Sequence, residues 1–107
     1  MRTAEEWGRL AVSLPGWRWM RGMQTLPLPT PGAPDPDDPA TAGCLLALLG
    51  PGAWDNVAPG STQAYDGEGW WAWVDGEWSE GLTLGRACIA AAEALGRWPN
   101  GGRMVAE

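Results

Sequence analysis

Trp17-Arg18-Trp19, followed by Arg21, places two indole faces and two guanidinium forks within five positions. Indoles stack on nucleobases and arginine forks grip phosphates bidentately, so this cluster has the chemistry of a small-nucleotide site. Trp71 and Trp73 lie two positions apart and share one face of an extended segment, which adds stacking surface. Arg86 follows the helix start expected at Thr83 and adds a guanidinium beside free N-terminal amides. Trp17, Arg18, Trp19, Arg21, Trp71, Trp73 and Arg86 are therefore the candidate ligand-binding residues. The competing reading puts Trp17 and Trp71 in the core, with the arginine stems lying over it. The chain carries nine tryptophans, and its helical segments already supply leucine and alanine to a core, so at least two indoles should be partly exposed.

Other chemistries are poorly supplied. There is no histidine and no lysine, which removes the commonest general base and the phosphate-loop cation. Asp35, Asp37 and Asp38 lie close together but lack the glycine and the terminal glutamate of a calcium loop. Asp66, Glu68, Asp75, Glu77 and Glu80 surround an aromatic hairpin, where turn and solvated-face roles explain them. No catalytic residue, metal ligand set or cofactor is expected, and enzyme activity ranks last among the readings.

Stepping outward, 107 residues allow one domain. Seven arginines against thirteen acidic residues leave a net charge of −6, which opposes binding to bulk nucleic acid. The longest apolar run is far short of the roughly 20 residues that span a bilayer, and nothing resembles a signal peptide. A cytosolic protein is expected. Cys44 and Cys88 each sit inside an apolar helical pattern, which favours packed, reduced thiols over a disulfide.

Three helices and the strands between them must position the candidate residues. Thr3 and Glu6 form a capping box, and Trp7, Leu10, Ala11 and Leu14 recur on one face until Pro15-Gly16 stops the helix. Trp17 and Trp19, then Met23, Thr25 and Leu26, suggest a hairpin turning at Arg21-Gly22. Residues 27–39 hold six prolines and form an extended crossing. Asp37 or Asp38 caps the second helix, with Pro39 in its first turn, Leu45, Leu48 and Leu49 buried, and Gly50 at its end; it is apolar nearly all round and is expected at the centre. Residues 51–69 read as loop, with a short strand near Gln63–Tyr65. Trp70–Val74, Asp75-Gly76 and Glu77-Trp78 spell a tight hairpin, with Trp71 and Trp73 on one face and Trp70, Ala72 and Val74 on the other. Thr83 caps a third helix lined by Leu84, Cys88, Ala91, Ala92 and Leu95 and ended by Gly96. The domain spans 1–98 and the tail 99–107 is expected to fray. The fold class is α+β: three helices packed on a small, mainly antiparallel sheet.

The segments Leu14-Pro-Gly-Trp-Arg-Trp-Met-Arg-Gly-Met23 and Pro34-Asp-Pro-Asp-Asp-Pro-Ala-Thr-Ala-Gly-Cys-Leu-Leu-Ala-Leu-Leu49 resemble, in order and spacing, a group of small, mostly uncharacterised proteins of tailed phages and prophages. The third helix is similar in position to the last helix of that group, though Thr83-Leu-Gly-Arg86 departs from its usual acidic start. The resemblance implies phage origin, a reduced host cytoplasm and an accessory role during infection. A non-catalytic protein can act only through occupancy. The expected function is to counter host antiviral defence by sequestering a small nucleotide signal, as a homo-oligomer with pockets between chains. The alternatives are a protein-binding, anti-CRISPR-like inhibitor of a host defence enzyme, or a virion assembly protein.

Overall fold

The computed structural model describes residues 2–26, 32–50, 53 and 56–100. In chain order the elements are α1 (Ala4–Ser13), α2 (Pro39–Leu49), β1 (Val57–Pro59), β2 (Trp70–Val74), β3 (Glu77–Gly81) and α3 (Leu84–Leu95). The strands form one antiparallel sheet in the order β1-β2-β3. The α+β class expected from the sequence is therefore the class observed.

Local signals account for the element ends. Thr3 Oγ1 accepts from the Glu6 amide at 3.2 Å while the Thr3 amide donates to Glu6 Oε1 at 3.0 Å, closing the capping box of α1. Asp38, rather than Asp37, caps α2 by accepting from the Thr41 amide at 3.0 Å, with Pro39 in the first turn. Thr83 caps α3, and Gly96 ends it in the left-handed conformation at φ 77°. Between β2 and β3, Asp75 and Gly76 both take positive φ, 49° and 80°, as a two-residue turn that matches strand twist requires.

That turn sets the register Trp73↔Trp78 and Trp71↔Glu80. Ala72, Val74, Ser79 and Gly81 consequently face inward and are buried, while Trp71, Trp73, Trp78 and Glu80 share the outer face. The inner face packs on α3. Small residues set how closely: a Cβ at Gly81 would meet the backbone of Arg86 and Ala87, and one at Gly85 would run into the Pro36 carbonyl.

The centre is α3, not α2. It touches all three strands and both other helices, burying Ala87, Cys88, Ile89, Ala91 and Ala92 between them. Its small side chains are the reason, because alanine lets neighbours approach from every side where leucine would hold them off. α2 packs on α3 and buries Leu45, Leu46, Leu48 and Leu49. Leu10 and Leu84, expected in the core, are only half-buried. Trp98 fills the remaining gap, with its Nε1 donating to the Ala11 carbonyl at 2.9 Å and its amide to the Pro15 carbonyl at 2.8 Å. Asn100 then donates through its amide to Leu48 O and through Nδ2 to Ala47 O, both at 2.9 Å, satisfying carbonyls at the C-terminal end of α2. These bonds tie Asn100 to the end of α2, and 101–107 lie outside the described residues. Both cysteines are free; Cys88 is buried, which pushes its pKa up to about 12, and Cys44 is half-buried, with its thiol donating to the Arg21 carbonyl.

Two strand expectations are corrected. The chain turns at Arg21-Gly22, with the Met23 amide bonded to Met20 O, but Trp17–Trp19 and Met23–Leu26 do not pair. Gln24–Leu26 instead meets Ala33–Asp35, through Leu26 N to Ala33 O and Asp35 N to Gln24 O, both 2.8 Å, around the bridge Thr25↔Pro34. Gln24 also donates its amide to Thr41 Oγ1 at 2.8 Å, which ties this segment to α2. Gln63–Tyr65 is not a strand, and the third strand is Val57–Pro59. It is too short for period-2 alternation to register, and proline is tolerated there because β1 is an edge.

Candidate functional site

The seven candidate residues divide into three separate places. Trp17 and Trp19 meet edge to face at 5.3 Å, and Trp17 leans on Trp98 at 5.9 Å, so this cluster belongs to the α1 side of the core. Trp71 and Trp73 lie on the outer face of the sheet, whose inner face packs on α3. They do not join Trp17, Arg18, Trp19 and Arg21, because the two aromatic segments do not share a sheet. Arg86 stands apart from both, in an ion pair.

In the first place, Trp17 Nε1 and Arg18 Nη1 are buried and have no acceptor among the described residues. Buried donors without acceptors cost stability, on the order of 1–3 kcal/mol each. Trp19 is 46% exposed and Arg21 is exposed, so neither is drawn into a pocket.

In the second place, Trp71 stacks on Trp78 at 5.0 Å with the planes 14° apart, and Trp73 meets Trp78 edge-on at 6.2 Å. Trp73 and Trp78 remain 47% and 45% exposed. Three indoles thus form one continuous apolar surface. Its polar border is ordered by Glu80, which accepts from the Gln63 and Ala64 amides at 2.9 Å and from Trp78 Nε1 at 3.1 Å. Burial works to raise the pKa of Glu80, but these donors outweigh it and keep the carboxyl below its ordinary value. Glu80 therefore stays ionised while it pins both the 63–64 turn and the Trp78 ring. Asp75, exposed in the turn, continues the negative border, while Glu77 pairs with Val74 and projects from the opposite face.

In the third place, Arg86 Nε and Nη2 donate to the two oxygens of Asp37 at 2.9 and 2.8 Å, and Thr83 Oγ1 donates to Asp37 at 2.7 Å. The guanidinium expected to hold an anion is thus already neutralised by a carboxylate of the chain. The knot fastens the start of α3 to the turn before α2. Burial works to raise the Asp37 pKa, but the bonds from Arg86 and Thr83 and the guanidinium charge hold it below its ordinary 3.8. A carboxyl that titrates lower folded than unfolded stabilises fully above its ordinary value and loses that contribution as pH falls through the folded one. Asp37→Asn should therefore cost about 1 kcal/mol at pH 7, as expected for a bidentate but partly exposed pair. The gap to the parent should narrow as pH falls below the ordinary carboxylate range. Thermal unfolding of both proteins from pH 2 to 7 checks this, and a gap independent of pH would disprove the ionic role.

A cleft missed in the sequence opens at one end of the sheet, about 290 Å³ in volume, lined by Leu49, Ala53, Trp73, Val74, Arg97 and Asn100 among others. Trp73 belongs both to it and to the indole face. The two-residue turn would have placed Trp78 opposite Trp73, so the face was readable; nothing local marks Arg97 or Asn100.

No protein-family model, curated protein or solved structure matches this chain. Among the described residues there is no group of three or more metal-ligating side chains, and no helix long and apolar enough to cross a membrane.

Proposed function

We propose that the protein is a non-catalytic phage accessory protein that counters host defence by occupancy, docking its indole face on a basic surface of a host defence protein. The observation that carries this reading is the joined surface of Trp71, Trp73 and Trp78, bordered by Asp75 and Glu80. Tryptophan is the residue type most enriched at binding hot spots, and a carboxylate border selects arginine and lysine on the partner. A surface that binds nucleic acid has that character. The resemblance to phage proteins supplies the biological setting. Sequestration of a nucleotide at the Trp17–Arg21 cluster is less well supported, since its residues do not converge with Trp71, Trp73 or Arg86.

The test uses purified protein and defined defence enzymes, with complexes read by native mass spectrometry and infection read by plating efficiency. Trp73→Ala and Trp78→Ala should stay folded, lose the complex and reduce protection at least about tenfold, since hot-spot truncations cost roughly 2 kcal/mol or more. Arg18→Ala should protect like the parent. Full protection by both tryptophan variants, or self-association through this face with no host complex, would overturn the reading.

A further inference from the structure

We infer that the cleft between the C-terminal ends of α2 and α3 binds a nucleoside monophosphate with an amino-bearing base, and that it shares Trp73 and Asp75 with the protein-docking face. Its wall is the half-exposed indole of Trp73, which offers a stacking surface to a planar heterocycle. Its floor is apolar, from Leu49 and Val74. Arg97, exposed at the rim, makes no ion pair among the described residues, in contrast to Arg2, Arg9 and Arg86, which are paired with Glu93, Glu5 and Asp37. A guanidinium that is not neutralised at the edge of an aromatic slot is placed to grip a phosphate.

The remaining polar groups set the orientation. Asp75 also lines the cleft and repels a phosphate, so the anion lies at the Arg97 end and a donor belongs at the Asp75 end. Asn100 donates its Nδ2 to Ala47, which leaves the acceptor Oδ1 as its second polar atom. Acceptors from Asp75 and Asn100 in one cleft suit the exocyclic amine that adenine, cytosine and guanine carry and uracil lacks. Size decides the rest. A volume of about 290 Å³ lies just below the roughly 300–1,000 Å³ typical of small-ligand sites, which suits a single nucleotide better than a cyclic di- or trinucleotide. An open site of that size should bind with Kd on the order of 10–100 μM.

The experiment is an NMR titration of the nine indole N–H resonances with adenosine 5′-monophosphate, adenosine, uridine 5′-monophosphate and inorganic phosphate. Saturable movement of the Trp73 signal with the adenine nucleotide is expected, with adenosine, the uridine nucleotide and phosphate each at least about tenfold weaker. Arg97→Ala should reduce affinity for the adenine nucleotide to that for adenosine, and Arg9→Ala should leave it unchanged. No saturable shift up to millimolar nucleotide, equal binding of adenosine or the uridine nucleotide, or parental affinity in Arg97→Ala would overturn the inference. Trp71 does not line the cleft, so Trp71→Ala should retain nucleotide binding; its loss in a folded variant would place the nucleotide on the indole face instead and overturn the inference.

Discussion

Trp98→Ala is expected to destabilise the protein by about 3–5 kcal/mol, the range for emptying a core site of a large aromatic side chain. That is a large share of the roughly 5–15 kcal/mol that holds a domain of this size together. Trp98 is 1% exposed and is the largest fully buried side chain among the described residues. Its removal opens a cavity under α1, strips Trp17 of one of its two aromatic neighbours, the one at 5.9 Å, and leaves the Ala11 carbonyl without its donor. Trp98→Phe separates these effects, since it keeps most of the packing but not the Nε1 hydrogen bond, and should cost about 1–3 kcal/mol. Urea unfolding followed by far-ultraviolet circular dichroism measures both. A loss below 1 kcal/mol for the alanine variant would show that the residues after α3 are peripheral.

Gly85→Ala should be comparably damaging, although alanine is the better helix former by about 1 kcal/mol. The added methyl would run into the Pro36 carbonyl, and that carbonyl belongs to a turn held by the Asp37–Arg86 knot. Neither backbone can retreat without moving a cap, so about 3 kcal/mol or more should be lost, at the upper end of overpacking penalties. Gly43→Ala is the control. It lies within α2 with nothing near its absent Cβ, and the same substitution there should stabilise by about 0.5–1 kcal/mol. Two glycine-to-alanine changes in helices would then move the melting temperature in opposite directions. If both raised it, the close seating of α3 on the Pro36 turn would be refuted.

The three helices, their caps and the Trp70–Trp78 hairpin were legible because each is specified by neighbours in the chain. Thr3 with Glu6, Asp38 with Pro39, and Asp75 with Gly76 act over two to four positions. What was not legible depends on distant partners. Trp17 and Trp19 alternate like strand residues, yet Trp17 leans on Trp98 and Trp19 stays half-exposed against Trp17. Arg86 looks like an unopposed cation until the fold brings Asp37 to it from 49 positions away. The centrality of α3 follows from alanines, whose importance lies in what they permit, and periodicity measures only where apolar side chains fall. The indole face was half visible, through Trp71 and Trp73. The cleft was not, since Arg97 and Asn100 acquire their meaning from the end of α2.

Trp98 also has a consequence for how the molecule comes into being. Its ring covers α1 from 87 positions further along. At a synthesis rate of about 5–20 residues per second, roughly 4–17 s pass between the emergence of Ala11 and that of its partner. Throughout that interval α1 has its early neighbours, Arg2 over Trp7 and Ala33–Pro34 against Gly8, but Ala11 lacks the ring that covers it. The core under α1 therefore closes only after Trp98 has left the ribosome, one of the last steps of folding rather than one of the first.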